Sequence, residues 1–271
     1  MLKLLLYLVS LLYGLVVAIR NKLYDLKILK SKEFDIPVIS IGNITVGGTG
    51  KTPHTEYLIK LLKQNYRVSA LSRGYMRKSK GFRLVETTST VEEVGDEPLQ
   101  MKRKYPNVTV SVCENRVVGV EQLIDNQPAP DVVILDDAFQ HRRITPGLNI
   151  LLIDYNKPIK DDYLLPLGKL RESKLQAMRA NIIIITKCPN EITPITRRIM
   201  AKDVRLYPYQ DLYFTTLVYG QLCPVYPDAK PMDLFNDPRH MAILVFAGVA
   251  APEYVINHIS QVTSEFDSLI F

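Results

Sequence analysis

The stretch from Ile36 to about Leu62 constrains this 271-residue chain more than any other part of it. A strand-like run, Ile36-Pro37-Val38-Ile39-Ser40-Ile41-Gly42-Asn43, leads into Thr45-Val46-Gly47-Gly48-Thr49-Gly50-Lys51-Thr52, and a helical pattern follows from Pro53. Strand, glycine-rich turn and helix in that order form the context of a phosphate-binding loop. Glycines let successive backbone N–H groups converge on phosphate oxygens, and the helix N-terminus adds partial positive charge. Lys51 is expected to reach the β/γ-phosphates and the Thr52 hydroxyl to ligate Mg²⁺, with residues from Thr45 to Thr52 lining the nucleotide. Pro53 falls in the first helical turn, where a missing N–H costs nothing. Thr45 stands at the first position, usually glycine, so Gly47 and Gly48 are expected to supply the freedom.

Such a loop needs an acid at the end of a neighbouring buried strand to help hold the metal. Asp131-Val132-Val133-Ile134-Leu135-Asp136-Asp137 supplies two. Adjacent carboxylates repel unless a cation compensates, which favours a metal site there. Tyr66–Leu71, Val108–Val112, Asn149–Ile153 and Asn181–Thr186 read as further strands, with helical patterns between several of them. That rhythm predicts an α/β fold, a mainly parallel sheet of P-loop NTPase type with helices on both faces. Ligands then gather at the C-terminal strand ends, where Ser72-Arg73-Gly74 and Asp136-Asp137 fall.

The N-terminus is different in kind. Leu4 to Ile19 carries no charge, Lys3 precedes it, and Arg20, Lys22, Lys27, Lys30 and Lys32 follow. Sixteen helical residues span roughly 24 Å, short of a hydrocarbon core of about 30 Å. A cleaved signal peptide is disfavoured because Val17-Ala18-Ile19-Arg20 is a poor small-x-small site, and a buried core helix is the other alternative. The basic flank favours a monotopic helix on an anionic membrane surface, each cation there contributing about 1 kcal/mol. The net charge of +6 suits the same surface and phosphate ligands. With 47% hydrophobic and 23% charged residues, wholesale disorder is excluded. Cys113, Cys188 and Cys223 are far apart and lack zinc-ligand spacing, so reduced thiols are expected.

Five motifs then recur in one order: Asn43–Pro53, Leu71-Ser72-Arg73-Gly74-Tyr75, Gly95-Asp96-Glu97-Pro98, Leu135–Arg142 and Leu167-Gly168-Lys169-Leu170-Arg171-Glu172. The sequence closely resembles the tetraacyldisaccharide 4′-kinase family, the lipid A 4′-kinases of Gram-negative bacteria, over nearly its whole length. The resemblance implies transfer of the ATP γ-phosphate to the 4′-hydroxyl of an acylated glucosamine disaccharide 1-phosphate, with ATP and Mg²⁺ as cofactors. It also implies peripheral or monotopic association with the cytoplasmic face of the inner membrane and no nucleic-acid partner. Residues 1–33 are then the membrane-associating helix and basic flank, 34–208 the P-loop kinase domain, and 209–271 a linker ribbon and a second, smaller α/β lobe.

By the same resemblance Asp96 looks like the base that accepts the sugar hydroxyl proton, although the residue alone would read as a turn aspartate before Pro98. Asp136 is expected to hold Mg²⁺, and Asp137 and His141 to position the metal or the attacking group. Arg73, Arg77, Arg116 and Arg171 are candidates for phosphate contacts, because a guanidinium pairs bidentately with phosphate oxygens. Glu172 could be a salt-bridge partner or accept from a substrate hydroxyl. Met76 and Asn115 depart from the family pattern, where a glycine and an acid are common. Met241–Gly248 reads as strand and turn, and Pro252–Val262 as helix; Phe266–Phe271 begins an apolar run and stops where the family continues, so the second lobe looks truncated. Two other functions stay open: a membrane-associated P-loop ATPase or GTPase switch, with Ile185-Thr186-Lys187-Cys188 resembling a base-recognition strand, or an inactive truncated remnant.

Overall fold

A computed structural model describes residues 2–220, 222–226, 228, 242–249 and 252–271, in two compact units that divide after Thr216. In the first unit α1 (Leu2–Asp25) is followed by β1 (Val38–Gly42), α2 (Lys51–Leu62), β2 (Val68–Ser72), β3 (Arg83–Leu84), α3 (Val91–Val94), α4 (Asp96–Lys104), β4 (Thr109–Val112) and α5 (Arg116–Asp125). The chain continues through β5 (Val132–Leu135), β6 (Leu148–Asp154), β7 (Ile182–Cys188), α6 (Pro194–Val204) and β8 (Asp211–Thr216).

These strands form one eight-stranded sheet in the order β3-β4-β2-β5-β1-β6-β7-β8, parallel except for the short β3. Strands buried on both faces read as near-continuous apolar runs, and every residue of β5 is buried. Alternation sorts their side chains: Ala70, Val132 and Ile134 pack with Ile59 of α2, whereas Leu71, Val133 and Leu135 pack with Val120 and Leu123 of α5. Because the sheet is parallel, β1, β2 and β5 all deliver their C-terminal ends to the same edge.

The first unit runs to Thr216 rather than to residue 208, since β8 hydrogen-bonds along β7 from Asp211 to Thr216. In β8 only Leu212 and Phe214 reach the core while Tyr213 faces outward, so its apolar signal is that of an edge strand. In the second unit β9 (Ile243–Ala247) and β10 (Phe266–Ile270) pair in parallel, and Val245 and Ala247 pack with Ile259 of α7 (Glu253–Ser260). The expected strand at Met241–Gly248 is β9, Met241 itself lying outside the described residues, and the expected helix at Pro252–Val262 is α7.

Helix α1 is longer than its charge-free run, 24 residues or about 36 Å, and lies in the first unit rather than in a separate segment. Of residues 3–25 only Ser10, Asn21 and Tyr24 are buried, so it is not a core helix. It has two faces. Ser10, Tyr13, Gly14, Asn21 and Tyr24 share one side, while the exposed Leu4, Leu8, Leu11, Leu15 and Ile19 share another, about 150° away at 100° per residue. On the first side Ser10 Oγ donates to Leu164 O at 2.8 Å, and Arg142 Nη1 donates to Asn21 O at 2.8 Å. Gly14 permits this approach, because a Cβ there would stand 2.6 Å from Leu164 Cδ1.

Leu151 is fully buried in the cluster formed by β6, β7 and Phe139. Leu151→Ala is expected to lower the unfolding free energy by about 2–5 kcal/mol in urea titration.

Candidate active site

The glycine-rich turn closes onto α2 through Gly50, whose φ of 85° is a left-handed conformation that side chains resist. The first helical bond is His54 N–H to Gly50 O at 3.2 Å, so the amides of Lys51 and Thr52 precede the hydrogen-bonded ladder and face the turn. Asn43 Nδ2 donates to Thr49 Oγ1 at 2.7 Å, and Thr186 Oγ1 donates to Thr49 O at 2.9 Å, fixing the loop from two strand ends. The first limb of the turn is paired with another segment: Thr45 bridges Leu170 antiparallel, Val46 N–H donates to Lys169 O and Arg171 N–H donates to Ile44 O. The Leu167–Glu172 motif is thus stitched to the phosphate turn by backbone bonds.

Asp136 lies at the end of β5 and is 1% exposed. Thr55 Oγ1 of α2 donates to its Oδ1 at 3.0 Å. Burial, reinforced by the Glu97 and Asp137 carboxylates, raises its pKa to about 6. Thr52 is one turn before Thr55 on the same helix face. The Asp136 carboxylate at this strand end is a hard-oxygen donor, which suits Mg²⁺ completed by phosphate oxygens.

Asp137 takes a left-handed φ of 46° and turns its carboxylate toward two cations, Lys51 Nζ at 3.8 Å and Arg171 Nη1 at 3.3 Å. Asp96 is exposed at the first position of α4, its Oδ1 accepting from Glu97 N–H at 2.9 Å. Gly95 just before it packs on Gly74 and the Tyr75 carbonyl, so the α4 N-terminus abuts the end of β2. Lys51, Thr52, Asp136, Asp137 and Arg171 therefore meet at one strand edge, with Asp96 and the exposed Arg73 on its rim.

Other expected ligands have protein partners. Arg116 is 3% exposed and donates to the carbonyls of Cys113 and Asp136, at 2.8 and 3.1 Å, so it ties β4 to β5 instead of offering itself to a phosphate. Burial lowers its pKa to about 10 despite Asp136 and Asp137 nearby. Arg77 is likewise turned inward, its Nη2 2.7 Å from Glu114 Oε1 and 2.6 Å from Gly81 O. Glu172, 1% exposed, is a salt-bridge partner: its Oε2 accepts from Arg179 Nη2 at 2.7 Å and from Asn21 Nδ2 at 3.0 Å. His141 makes no hydrogen bond to Asp137 among the described residues, and its Nε2 is buried without a partner. Burial and then Arg116, Arg143, Arg20 and Arg73 lower its pKa to about 4.

Four contributors had a weaker signal in the sequence. Glu97 beside Asp96 and Thr55 one turn beyond Thr52 could be found by spacing. Thr186, and Gln140, whose Nε2 donates to Asn43 O at 2.7 Å, could not, because only the fold brings them to the turn.

The sequence matches the LpxK family model, Tetraacyldisaccharide-1-P 4'-kinase, over residues 2–270. The chain belongs to this family. A Tetraacyldisaccharide 4'-kinase of Phocaeicola vulgatus is 52% identical over 268 residues, covering 98% of this chain and 73% of that protein. The Bacteroides thetaiotaomicron protein of the same name is 50% identical over 277 residues, with 98% and 72% covered. The crystal structure of LpxK from Aquifex aeolicus in complex with ATP matches with a TM-score of 0.79 at 33% identity, covering 100% of this chain and 82% of that one. The LpxK fold is the P-loop sheet described above.

A histidine with a lowered native pKa binds fewer protons folded than unfolded. The stability that His141 contributes is full above pH 6.5 and is lost as pH falls toward 4. The melting temperature is therefore expected to drop less between pH 7 and 5 in His141→Gln than in the parent chain; equal drops would refute it.

Proposed function

We propose that this chain transfers the γ-phosphate of ATP to the 4′-hydroxyl of tetraacyldisaccharide 1-phosphate, at the strand edge where the phosphate turn meets Asp136 and Asp137. Family membership supports the reaction. The observation that carries its placement is the convergence of Lys51, Asp137 and Arg171 beside the α2 N-terminus, with Asp96 on the rim. In this reading the amides of residues 47–52 and Lys51 hold the phosphates, drawing charge off the transferring group. Mg²⁺ held by Thr52 and Asp136 would neutralise the β- and γ-phosphate oxygens. Arg171 stands ready to shift from Asp137 to a phosphate oxygen, an exchange that costs little because this ion pair is partly exposed. Asp96, open to solvent at the rim, accepts the proton of the attacking hydroxyl late in transfer. Arg73, exposed at the end of β2, faces the acceptor's phosphate.

The exposed apolar face of α1 seats the enzyme in the membrane surface from which an acylated sugar is drawn. A face docked on protein along much of its length favours a monotopic helix over a spanning one. The exposed Lys27 and Lys30 beyond it meet anionic headgroups on the cytoplasmic side, where ATP is.

Labelled ATP and the acylated disaccharide test the chemistry. Asp96→Asn is expected to lower kcat by at least about a hundredfold with nucleotide affinity retained, the scale of general-base catalysis. Lipid-independent hydrolysis without phospholipid product would point instead to a switch. For the membrane, changing Leu8, Leu12 and Leu15 together to Gln is expected to abolish flotation with anionic liposomes while leaving the fold intact.

A further inference from the structure

The polar face of α1 does more than attach the helix. Tyr13 OH donates to Arg171 O at 2.7 Å, and Asn21 Nδ2 donates to Glu172 Oε2 at 3.0 Å. The two acceptors follow one another in the segment whose backbone is bonded to Ile44 and Val46 of the phosphate turn. The Arg171 side chain continues to Asp137, and Asp137 to Lys51. A second connection starts at Arg20, whose Nη2 donates to Gln140 O at 3.0 Å. The Gln140 side chain donates to Asn43 O, and the Asn43 side chain donates to Thr49 Oγ1 in the turn. Two hydrogen-bonded routes thus run from one helix to both limbs of the same loop.

We propose that α1 is a positioning element of the nucleotide site as well as an anchor, with Tyr13, Arg20, Asn21 and Gln140 as positioning residues. None of them carries charge to the reacting atoms. They hold Arg171 and the two limbs of the turn in register. The joint is also where the chain invests buried polar groups: Glu172 is 1% exposed and Asn21 2%, and the Arg179 guanidinium completes their cluster. A buried carboxylate tolerates the loss of a donor poorly, so a change at Asn21 is transmitted to the Arg171–Glu172 segment rather than absorbed locally. Anchoring needs only the opposite, apolar face, which separates the two roles on the surface of one helix.

The inference rests on the kinase reading for its catalytic consequence, but not for its structural one. The test uses the full chain in anionic phospholipid vesicles with the single variants Tyr13→Phe and Asn21→Leu, neither of which alters the apolar face. Vesicle flotation and the lipid KM are expected to stay within about twofold of the parent, while kcat falls about tenfold, the pattern of a lost positioning contact. Affinity for a fluorescent ATP analogue weakens, and amide hydrogen exchange quickens in residues 43–50 and 162–172. Unchanged nucleotide affinity and exchange in both variants overturn the proposal, as does a loss of kcat that tracks a loss of flotation. If the parent chain binds nucleotide but phosphorylates no lipid, the kinase reading fails, and affinity and exchange still decide the role of α1. Tyr13→Phe keeps the ring and its packing, so it decides the question should Asn21→Leu not fold.

Discussion

Burying the Asp136 carboxylate beneath the helix that follows the phosphate turn costs solvation, and much of the surrounding structure answers that cost. Thr55 supplies a hydrogen bond to the carboxylate, Arg116 holds the backbone carbonyl of the same residue, and Lys51 brings a positive charge from the helix start. Glu97 and Asp137 add negative charge instead of relieving it. A divalent cation at this strand end would offset the repulsion among these carboxylates. The parallel sheet makes such an arrangement possible, because it brings β1, β2 and β5 to one edge with their loops adjacent.

The N-terminal helix carries two chemically different faces. Its apolar stripe is left uncovered, whereas its other side carries Ser10, Tyr13 and Asn21, each spending a polar group on the kinase unit. Such donors would be a liability in a purely lipid-facing helix, and here they reach loop carbonyls and Glu172. The exposed apolar stripe and the phosphate turn are thereby brought within a few side chains of each other.

Features that depend on neighbours in the chain are legible in the amino-acid order itself. Gly50-Lys51-Thr52 after a β-branched strand, and Asp136-Asp137 after Val132–Leu135, announce a turn and an acidic strand end through local backbone and burial rules. Features that depend on distant partners are not. Arg77, Arg116 and Glu172 look like free phosphate or hydroxyl ligands in the sequence, yet Glu114, the Cys113 and Asp136 carbonyls, and Arg179 with Asn21 engage them. The edge strand β8 is faint in the sequence because only two of its side chains face the core.

The amino-acid sequence by itself determined the phosphate turn, the parallel α/β sheet and the apolar stripe at the N-terminus. Each arises from periodicity and from residues adjacent along the chain. Only the tertiary structure showed which charged side chains have protein partners, and that one face of the N-terminal helix is bonded to the segment beside the turn. The reason is that an ion pair is worth making only where burial and geometry bring its partners together. Hydrogen-bond partners obey the same rule: Asn21 and Glu172 stand 151 residues apart in the chain.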